Sequence, residues 1–285
     1  MTRHSIKVIR RTFDELEHSA SLDRNSSILK IDINPSRSIE ISTIYFRAGY
    51  LPNEYNATRY DTRFLLERSR AIKCPTIPLL LAGAKKVQEV LTRPGILEYF
   101  LDNEEKYGKE GLSNEAISEL RENFMEMWGL GVGEDMITKD AEAMKSGKET
   151  FGIQKARESA MSLVLKPQRE GGGNNIYKEA IPAFLDRLPP KERESWVAMR
   201  LIQSPDCGNY LVRSATTDSV DVRLPVKAVT TSELGIFGWA LFGGPDQSVD
   251  EREVGSLLRT KAKEINEGGV ASGFSVLDSV LLVDD

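Results

Sequence analysis

The apolar positions of this chain fall into two rhythms. Residues 28–33 and 39–46 alternate with a period of two and are rich in β-branched side chains, which predicts strands. The short run I-K-V-I at 6–9 predicts another strand, and residues 11–18 carry Phe13 and Leu16 at helical spacing. Amphipathic helices are predicted over 58–69 and 78–92. Pro94 and Gly95 then break the chain before a short helix over 96–100. Residues 113–128 predict a helix capped at Ser113 or Asn114, with Ile117, Leu120, Phe124 and Trp128 spaced for burial.

The second half is less regular. Residues 129–135, G-L-G-V-G-E-D, predict a loop, and the stretch from there to Ser159 is charged and weakly patterned. The apolar run over 161–165 predicts a buried strand. A helix is predicted over 176–188, ending at Pro189-Pro190, with strands over 196–202, 210–213 and 226–230. Residues 234–241 are apolar, with Phe237 and Trp239 expected in a core. Residues 257–265 predict a helix that Gly268 and Gly269 would stop. Asp32 and Asn34 invite reading as a metal pair, but Asn34-Pro35-Ser36 is better explained as a turn.

Composition narrows the function classes. The chain has 285 residues, 40% of them hydrophobic and 28% charged, an ordinary globular balance sufficient for about two domains. A net charge of −5 lacks the basic surplus of a nucleic-acid binder, and no apolar run is long enough to span a membrane. The charged start, M-T-R-H-S-I-K-V, does not read as a signal peptide. Cys74 and Cys207 are expected to be reduced and structural in a cytoplasmic protein. With only two histidines beside them, no zinc set is expected.

The densest chemistry lies between Leu165 and Tyr177, L-K-P-Q-R-E-G-G-G-N-N-I-Y. Gly171, Gly172 and Gly173 can hold neither helix nor strand, but they let backbone N–H groups crowd around an anion. Lys166 and Arg169 add positive charge. Glu170 suits a loop in which magnesium bridges a carboxylate and phosphates. The stretch therefore reads as a triphosphate loop with a metal ligand of its own, although it matches neither common phosphate motif. A flexible surface hairpin tipped with glycines is the competing reading.

Seven further segments accompany this loop in order. They are I-K-V-I-R-R-T-F from Ile6, Y-F-R-A-G-Y from Tyr45, L-L-E-R-S-R-A-I-K-C-P from Leu65 and L-A-G-A-K-K-V-Q from Leu81. S-E-L-G-I-F-G from Ser232, L-L-R-T-K-A from Leu257 and G-G-V-A-S-G from Gly268 complete them. Together with K-P-Q-R-E-G-G-G-N-N-I-Y, they give a chain that resembles the eukaryotic-type glutathione synthetases, an ATP-grasp ligase family. The resemblance implies an α+β fold. Residues 1–84 would be part of a substrate-binding α/β domain, and residues 85–285 an ATP-grasp region with a lid around 160–215.

The resemblance also implies a chemistry: a carboxylate is phosphorylated by ATP, and an amine attacks the acyl phosphate. Positioning and charge neutralisation carry such a reaction, with little covalent work by side chains and with water excluded. No side chain is expected to act as a covalent catalyst. The implied ATP-binding residues are Lys85, Lys166, Pro167, Gln168, Arg169, Glu170, Gly171, Gly172, Gly173, Asn174, Asn175 and Tyr177. Met199, Arg200, Leu201 and Ile202 on an adenine-side strand join them, with Glu233, Lys261 and Glu267. Relatives carry an acidic residue where this chain has Arg200. Glu170 is the implied magnesium ligand.

Arg47, Ala48, Gly49 and Tyr50 would meet a γ-glutamylcysteine substrate, as would Val270 and Ala271. Arg259 would clamp a carboxylate of that substrate with its fork of donors. Glycine is the implied acceptor, and β-alanine or serine the alternatives. The family carries a further amino-terminal region nearly as long as this chain, with additional magnesium ligands and much of a homodimer surface. The resemblance therefore implies weak or no ligase activity for this chain alone, or a module that binds nucleotide or a full-length subunit.

Overall fold

The computed structural model describes residues 6–101, 112–131, 149–169, 173–212, 225–243, 249–270 and 273–280. Two compact units result: Met1–Phe124 with Pro167–Glu170, and Met125–Lys166 with Gly171–Asp285. The expected boundary between residues 84 and 85 falls inside the first unit.

In the first unit, helix α1 (Phe13–Ser19) opens on a capping box. The Glu15 N–H donates to the Thr12 hydroxyl while the Glu15 carboxylate accepts from the Thr12 N–H, satisfying two donors that a helix start leaves open. The strands β1 (Ala20–Leu22), β2 (Leu29–Asn34) and β3 (Arg37–Glu40) form an antiparallel sheet. The strands β4 (Thr43–Tyr45) and β5 (Ile72–Cys74) pair in parallel. Parallel neighbours need a crossover, and helix α2 (Ala57–Arg68) lies in the connecting chain. Leu29, Phe46, Leu66 and Ala71 are buried there against Phe13 and Ile44. The chain leaving β4 becomes the segment from Arg47 to Tyr50, at the carboxyl end of a parallel strand, where α/β sheets commonly place ligands. Helices α3 (Ile77–Ala82), α4 (Lys85–Leu91), α5 (Ile96–Leu101) and α6 (Asn114–Glu122) follow. Arg121 joins two of them through the Glu98 carboxylate at 2.5 and 2.7 Å.

In the second unit, one sheet runs in the order β6 (Met127–Gly129), β9 (Trp196–Arg200), β7 (Leu163–Pro167), β8 (Ile176–Tyr177). Leu163, Leu165, Ala198 and Leu130 are fully buried, packed with Ile153 of α7 (Phe151–Glu158) and with Ile181 of α8 (Ala180–Arg187). The other sheet orders β10 (Cys207–Leu211), β11 (Val226–Phe242), β12 (Val249–Ala262) and β13 (Val276–Asp278), with neighbours antiparallel throughout.

The α+β class matches the expectation, but several elements differ from it. Residues 257–265 are not a helix: the segment to Ala262 is the end of β12, paired residue for residue with β11. Leu257, Leu258 and Ile265 mimic helical spacing, but the cross-strand ladder decides. Residues 6–9 belong to no strand, and Ile6 and Val8 are exposed. The run 39–46 divides between β3 and β4, which join different sheets. The helix expected over 78–92 is broken at Gly83 into α3 and α4. Trp128 lies in β6 rather than in a helix, and Ile176 and Tyr177 lie in β8, ahead of α8. Helix α7 arises where the sequence was weakly patterned.

Phe237 and Trp239 are exposed on the long hairpin rather than packed in a core. Cys74 and Cys207 are free and exposed, not buried structural residues. Among the described residues, no helix is long and apolar enough to cross a membrane.

Candidate functional site

Four of the expected ATP residues converge in the second unit from segments about ninety positions apart. The Asn175 amide donates to the Tyr177 hydroxyl at 3.1 Å and to the Glu267 carboxylate at 3.3 Å. The Tyr177 hydroxyl lies 3.4 Å from Glu267 Oε1 and 3.4 Å from the Asn266 carbonyl. The Lys261 ammonium donates to the carbonyls of Asn266 and Glu267 at 2.9 and 3.3 Å. Strand β8 supplies Tyr177, strand β12 supplies Lys261, and the chain leaving β12 returns Glu267 to both. Burial lowers the Lys261 pKa below the ordinary lysine range, against the opposing pull of Glu267 and then Glu233. Burial likewise raises the Tyr177 pKa. A cation, a carboxylate, an amide and a hydroxyl sharing long hydrogen bonds form a polar set that a charged ligand can reorganise.

Glu233 and Arg259 face each other across β11 and β12 and form an ion pair. Arg259 and Lys261 alternate along β12, so both project from the same face. The resemblance assigns Glu233 to nucleotide and Arg259 to peptide; in this structure each is the other's partner.

The adenine-side strand has its own polar set. The Arg200 N–H donates to the Glu126 carbonyl at 3.0 Å and the Leu201 N–H to the Ser162 carbonyl at 2.9 Å. The Arg200 guanidinium meets the Glu126 carboxylate at 2.8 Å and the Ser162 hydroxyl at 2.8 Å. Lys155 binds the other Glu126 oxygen, and Lys155 then Arg200 hold the Glu126 carboxyl below the usual carboxylate range. Met199 pairs with Met127, while Ile202 is exposed.

In the first unit, Gln168 accepts the Lys86 N–H at 2.9 Å. It thereby meets the first turn of α4, where Lys85 reaches Gln88 at 3.2 Å. Lys166 is half-buried, Pro167 is buried, and Arg169, Gly173 and Asn174 are exposed. Gly173 has φ +84°, open backbone that suits glycine.

The segment Arg47–Tyr50 is built tightly. Glu54 accepts three backbone N–H groups: Gly49 at 3.1 Å, Tyr50 at 2.9 Å and Leu51 at 2.8 Å. The Tyr55 hydroxyl donates to the Gly49 carbonyl at 2.9 Å, and the Tyr50 hydroxyl to the Phe46 carbonyl at 2.6 Å. Arg47 and Ala48 remain exposed, with the Arg47 guanidinium 3.4 Å from the Tyr45 hydroxyl. Val270 is also exposed.

Glu170, Gly171, Gly172 and Ala271 lie outside the described residues. Among the described residues, no three His, Cys, Asp or Glu side chains converge to hold a metal ion.

Residues 4–282 match the family described as "Eukaryotic glutathione synthase, ATP binding domain". The chain belongs to this family. It is 37% identical to the glutathione synthetase of Dictyostelium discoideum over 99% of its own length and 52% of the relative's. It is 39% identical to that of Homo sapiens over 96% of this chain and 51% of the relative. The chain thus spans about half the length of the curated relatives it matches. Among solved structures, it is similar to a glutathione synthetase-like effector from Globodera pallida in apo form. That match has a TM-score of 0.62 and 21% identity, and covers 99% of this chain and 50% of the other. It bears on fold alone.

Membership in the glutathione synthase family accounts for the ordered motifs, but three features escaped the sequence reading. The Asn266 carbonyl holds both Tyr177 and Lys261, and a backbone atom leaves no trace in residue type. Glu126 binds Arg200, and its place beside β9 depends on strand pairing. Glu54 could have been suspected from P-N-E-Y following a glycine turn, since a carboxylate there can reach back to loop amides.

Proposed function

We propose that this chain grips ATP and serves in the ATP-dependent ligation of γ-glutamylcysteine to glycine through an acyl phosphate, as a carbon–nitrogen ligase of the glutathione synthase type. The observation that carries the reading is the meeting of Asn175, Tyr177, Lys261 and Glu267. Family membership supports a nucleotide ligand, and the cluster supports this position for it. Lys261 supplies a cation for phosphate, while Asn175 and Tyr177 supply an amide and a hydroxyl that can turn from one another to a ligand.

Lys166, Arg169 and the glycine loop are further donors that the resemblance offers for the triphosphate, as are Lys85 and Gln168. Magnesium, when bound, would neutralise charge on the phosphates, and Glu170 is the ligand that the resemblance offers. The exposed Arg47 and the half-buried Arg259, here paired with Glu233, are the arginines that the resemblance offers for carboxylates of the dipeptide. Residues 1–84 would belong to the substrate side, and residues 85–285, with a lid around 160–215, to the nucleotide side.

Purified chain mixed with ATP, Mg²⁺, γ-glutamylcysteine and glycine should show weak turnover or none on its own, any product being ADP, phosphate and tripeptide in equal amounts. A second reading follows from the half-length coverage: a nucleotide-binding module that acts with another polypeptide supplying the remaining half. An ATP analogue that raises the melting temperature without turnover would select that module. An analogue that neither binds nor stabilises would remove both readings. Competing β-alanine or serine in the first assay would reveal a different acceptor.

A further inference from the structure

We propose that Glu54 is the positioning residue of the Arg47–Tyr50 segment: its carboxylate acts as a built-in anion that sets the loop and leaves the Arg47 guanidinium as the loop's outward-facing anion receptor. This goes deeper into the substrate side of the reading above and rests on it. Glu54 had no assigned role in the sequence reading.

The geometry is closed on itself. Three successive amides, of Gly49, Tyr50 and Leu51, converge on the two oxygens of one carboxylate at 2.8–3.1 Å. Consecutive N–H groups turned to one side form a concavity suited to an anion. Here the occupant comes from the same chain, five residues onward. The Arg59 guanidinium fixes the Glu54 carbonyl at 3.0 Å, so the donor of that anion is itself held. The N–H bonds of Gly49 and then Leu51 keep the Glu54 carboxyl below the usual carboxylate range, so it is charged at neutral pH.

The arrangement has a consequence for recognition. A loop at the carboxyl end of a parallel strand, with a glycine turn, would ordinarily offer its amides to a ligand's carboxylate. In this chain the amides of Gly49, Tyr50 and Leu51 are engaged by Glu54, and the Gly49 carbonyl is engaged by Tyr55. The exposed group left to meet a substrate carboxylate is the Arg47 side chain, projecting from a backbone that does not need ligand to take shape.

The test uses the full chain and three proteins: the native sequence, Glu54→Ala and Glu54→Gln. Backbone amide exchange of Gly49, Tyr50 and Leu51 is followed by NMR, with core amides of β2 and α2 as the stability control. Binding of γ-glutamylcysteine and of a non-hydrolysable ATP analogue is measured by calorimetry. Glu54→Ala should speed exchange at the three amides by about tenfold or more, with the core amides unchanged. It should weaken dipeptide binding severalfold and leave analogue binding as it was. Glu54→Gln, which keeps an oxygen acceptor, should recover part of both effects.

Unchanged exchange at the three amides in Glu54→Ala overturns the proposal, as does faster exchange with native dipeptide affinity. If the native chain binds no dipeptide, the substrate reading of the loop fails, and with it the role of Arg47 as receptor. The exchange result then still decides whether Glu54 sets the loop.

Discussion

The two polar clusters are built by opposite means. Around Glu54, short hydrogen bonds of 2.6–3.1 Å fix backbone, and every partner lies within six residues in sequence. Around Tyr177 and Glu267, bonds of 3.3 and 3.4 Å join side chains that lie about ninety residues apart, and one carboxylate oxygen serves two donors. Bond strength falls with length, and a shared acceptor serves each donor less well. The first cluster is a formed loop. The second is a looser gathering, the one to which the proposed function assigns a ligand. A local cluster pre-organises shape; a long-range one assembles only after the sheets that carry it have formed.

The largest expected effect tests the rigid side. Gly49 sits at φ +81°, and a Cβ there would come within 2.5 Å of the Tyr55 hydroxyl and 3.1 Å of the Phe13 ring. Left-handed backbone costs alanine roughly 1–2 kcal/mol. Overpacking adds roughly 1–3 kcal/mol more. Gly49→Ala should lower the urea midpoint by the equivalent of about 2–5 kcal/mol. Gly173→Ala has a similar φ of +84° but nothing within 4 Å of the new Cβ, so it should show only the backbone share. Equal losses for the two substitutions would erase the contrast between a closed loop and an open one.

Next comes the loose side. Lys261→Met removes the cation of the gathered set and keeps the length of its stem. A hydrogen bond to a charged group is worth about 1.5–3 kcal/mol, so ATP-analogue affinity should fall by about tenfold to a hundredfold, with little change in melting temperature. A large stability loss with native affinity would show the cluster to be a strut instead of a site.

A smaller effect lies in pH. Burial depresses the Lys261 pKa, so this ammonium loses its proton at lower pH than an exposed lysine does. Triphosphate binding that needs the charged form is complete below that depressed pKa and is lost as pH rises through it. The alkaline decline in affinity should therefore begin below the ordinary lysine range. Lys261→Arg, which stays charged, should push the decline upward.

The same contrast explains what was legible in the sequence. The Ser113 cap and the buried run of β7 are written in adjacent residues and stand where the sequence predicts them, while Gly171 and Gly172 of the glycine triplet lie outside the described residues. Elements that depend on partners far along the chain were misread. β12 became a helix on paper because Leu257, Leu258 and Ile265 imitate a helical stripe, and only pairing with β11 overrules them. Ile176 and Tyr177 were absorbed into α8 for the same reason: a two-residue strand exists through its neighbour β7. Tyr177, Lys261 and Glu267 could be named one at a time by resemblance, but no local pattern says that they touch. Glu54 was within local reach and was passed over because a lone glutamate after a proline turn resembles many surface residues.

The smallest expected effect concerns Arg200, at the position where the resemblance implies an acidic residue in the family. Its guanidinium is about a third exposed and bridges Glu126 and Ser162. If that arrangement is only a brace between strands, Arg200→Met leaves Glu126 still bound to Lys155 and forfeits one partly solvated ion pair, worth at most about 1 kcal/mol. Backbone registers 127–129 and 197–199 stay paired in either case. Because the N–H groups of Arg200 and Leu201 already serve Glu126 and Ser162, neither is available to an adenine ring, and affinity for an ATP analogue should stay within about twofold, a difference under about 0.5 kcal/mol. A loss of tenfold or more would mean that the guanidinium turns from Glu126 to the nucleotide. The β9 cluster would then belong with the loose set around Tyr177, and the side chain of Arg200 would take part in base recognition.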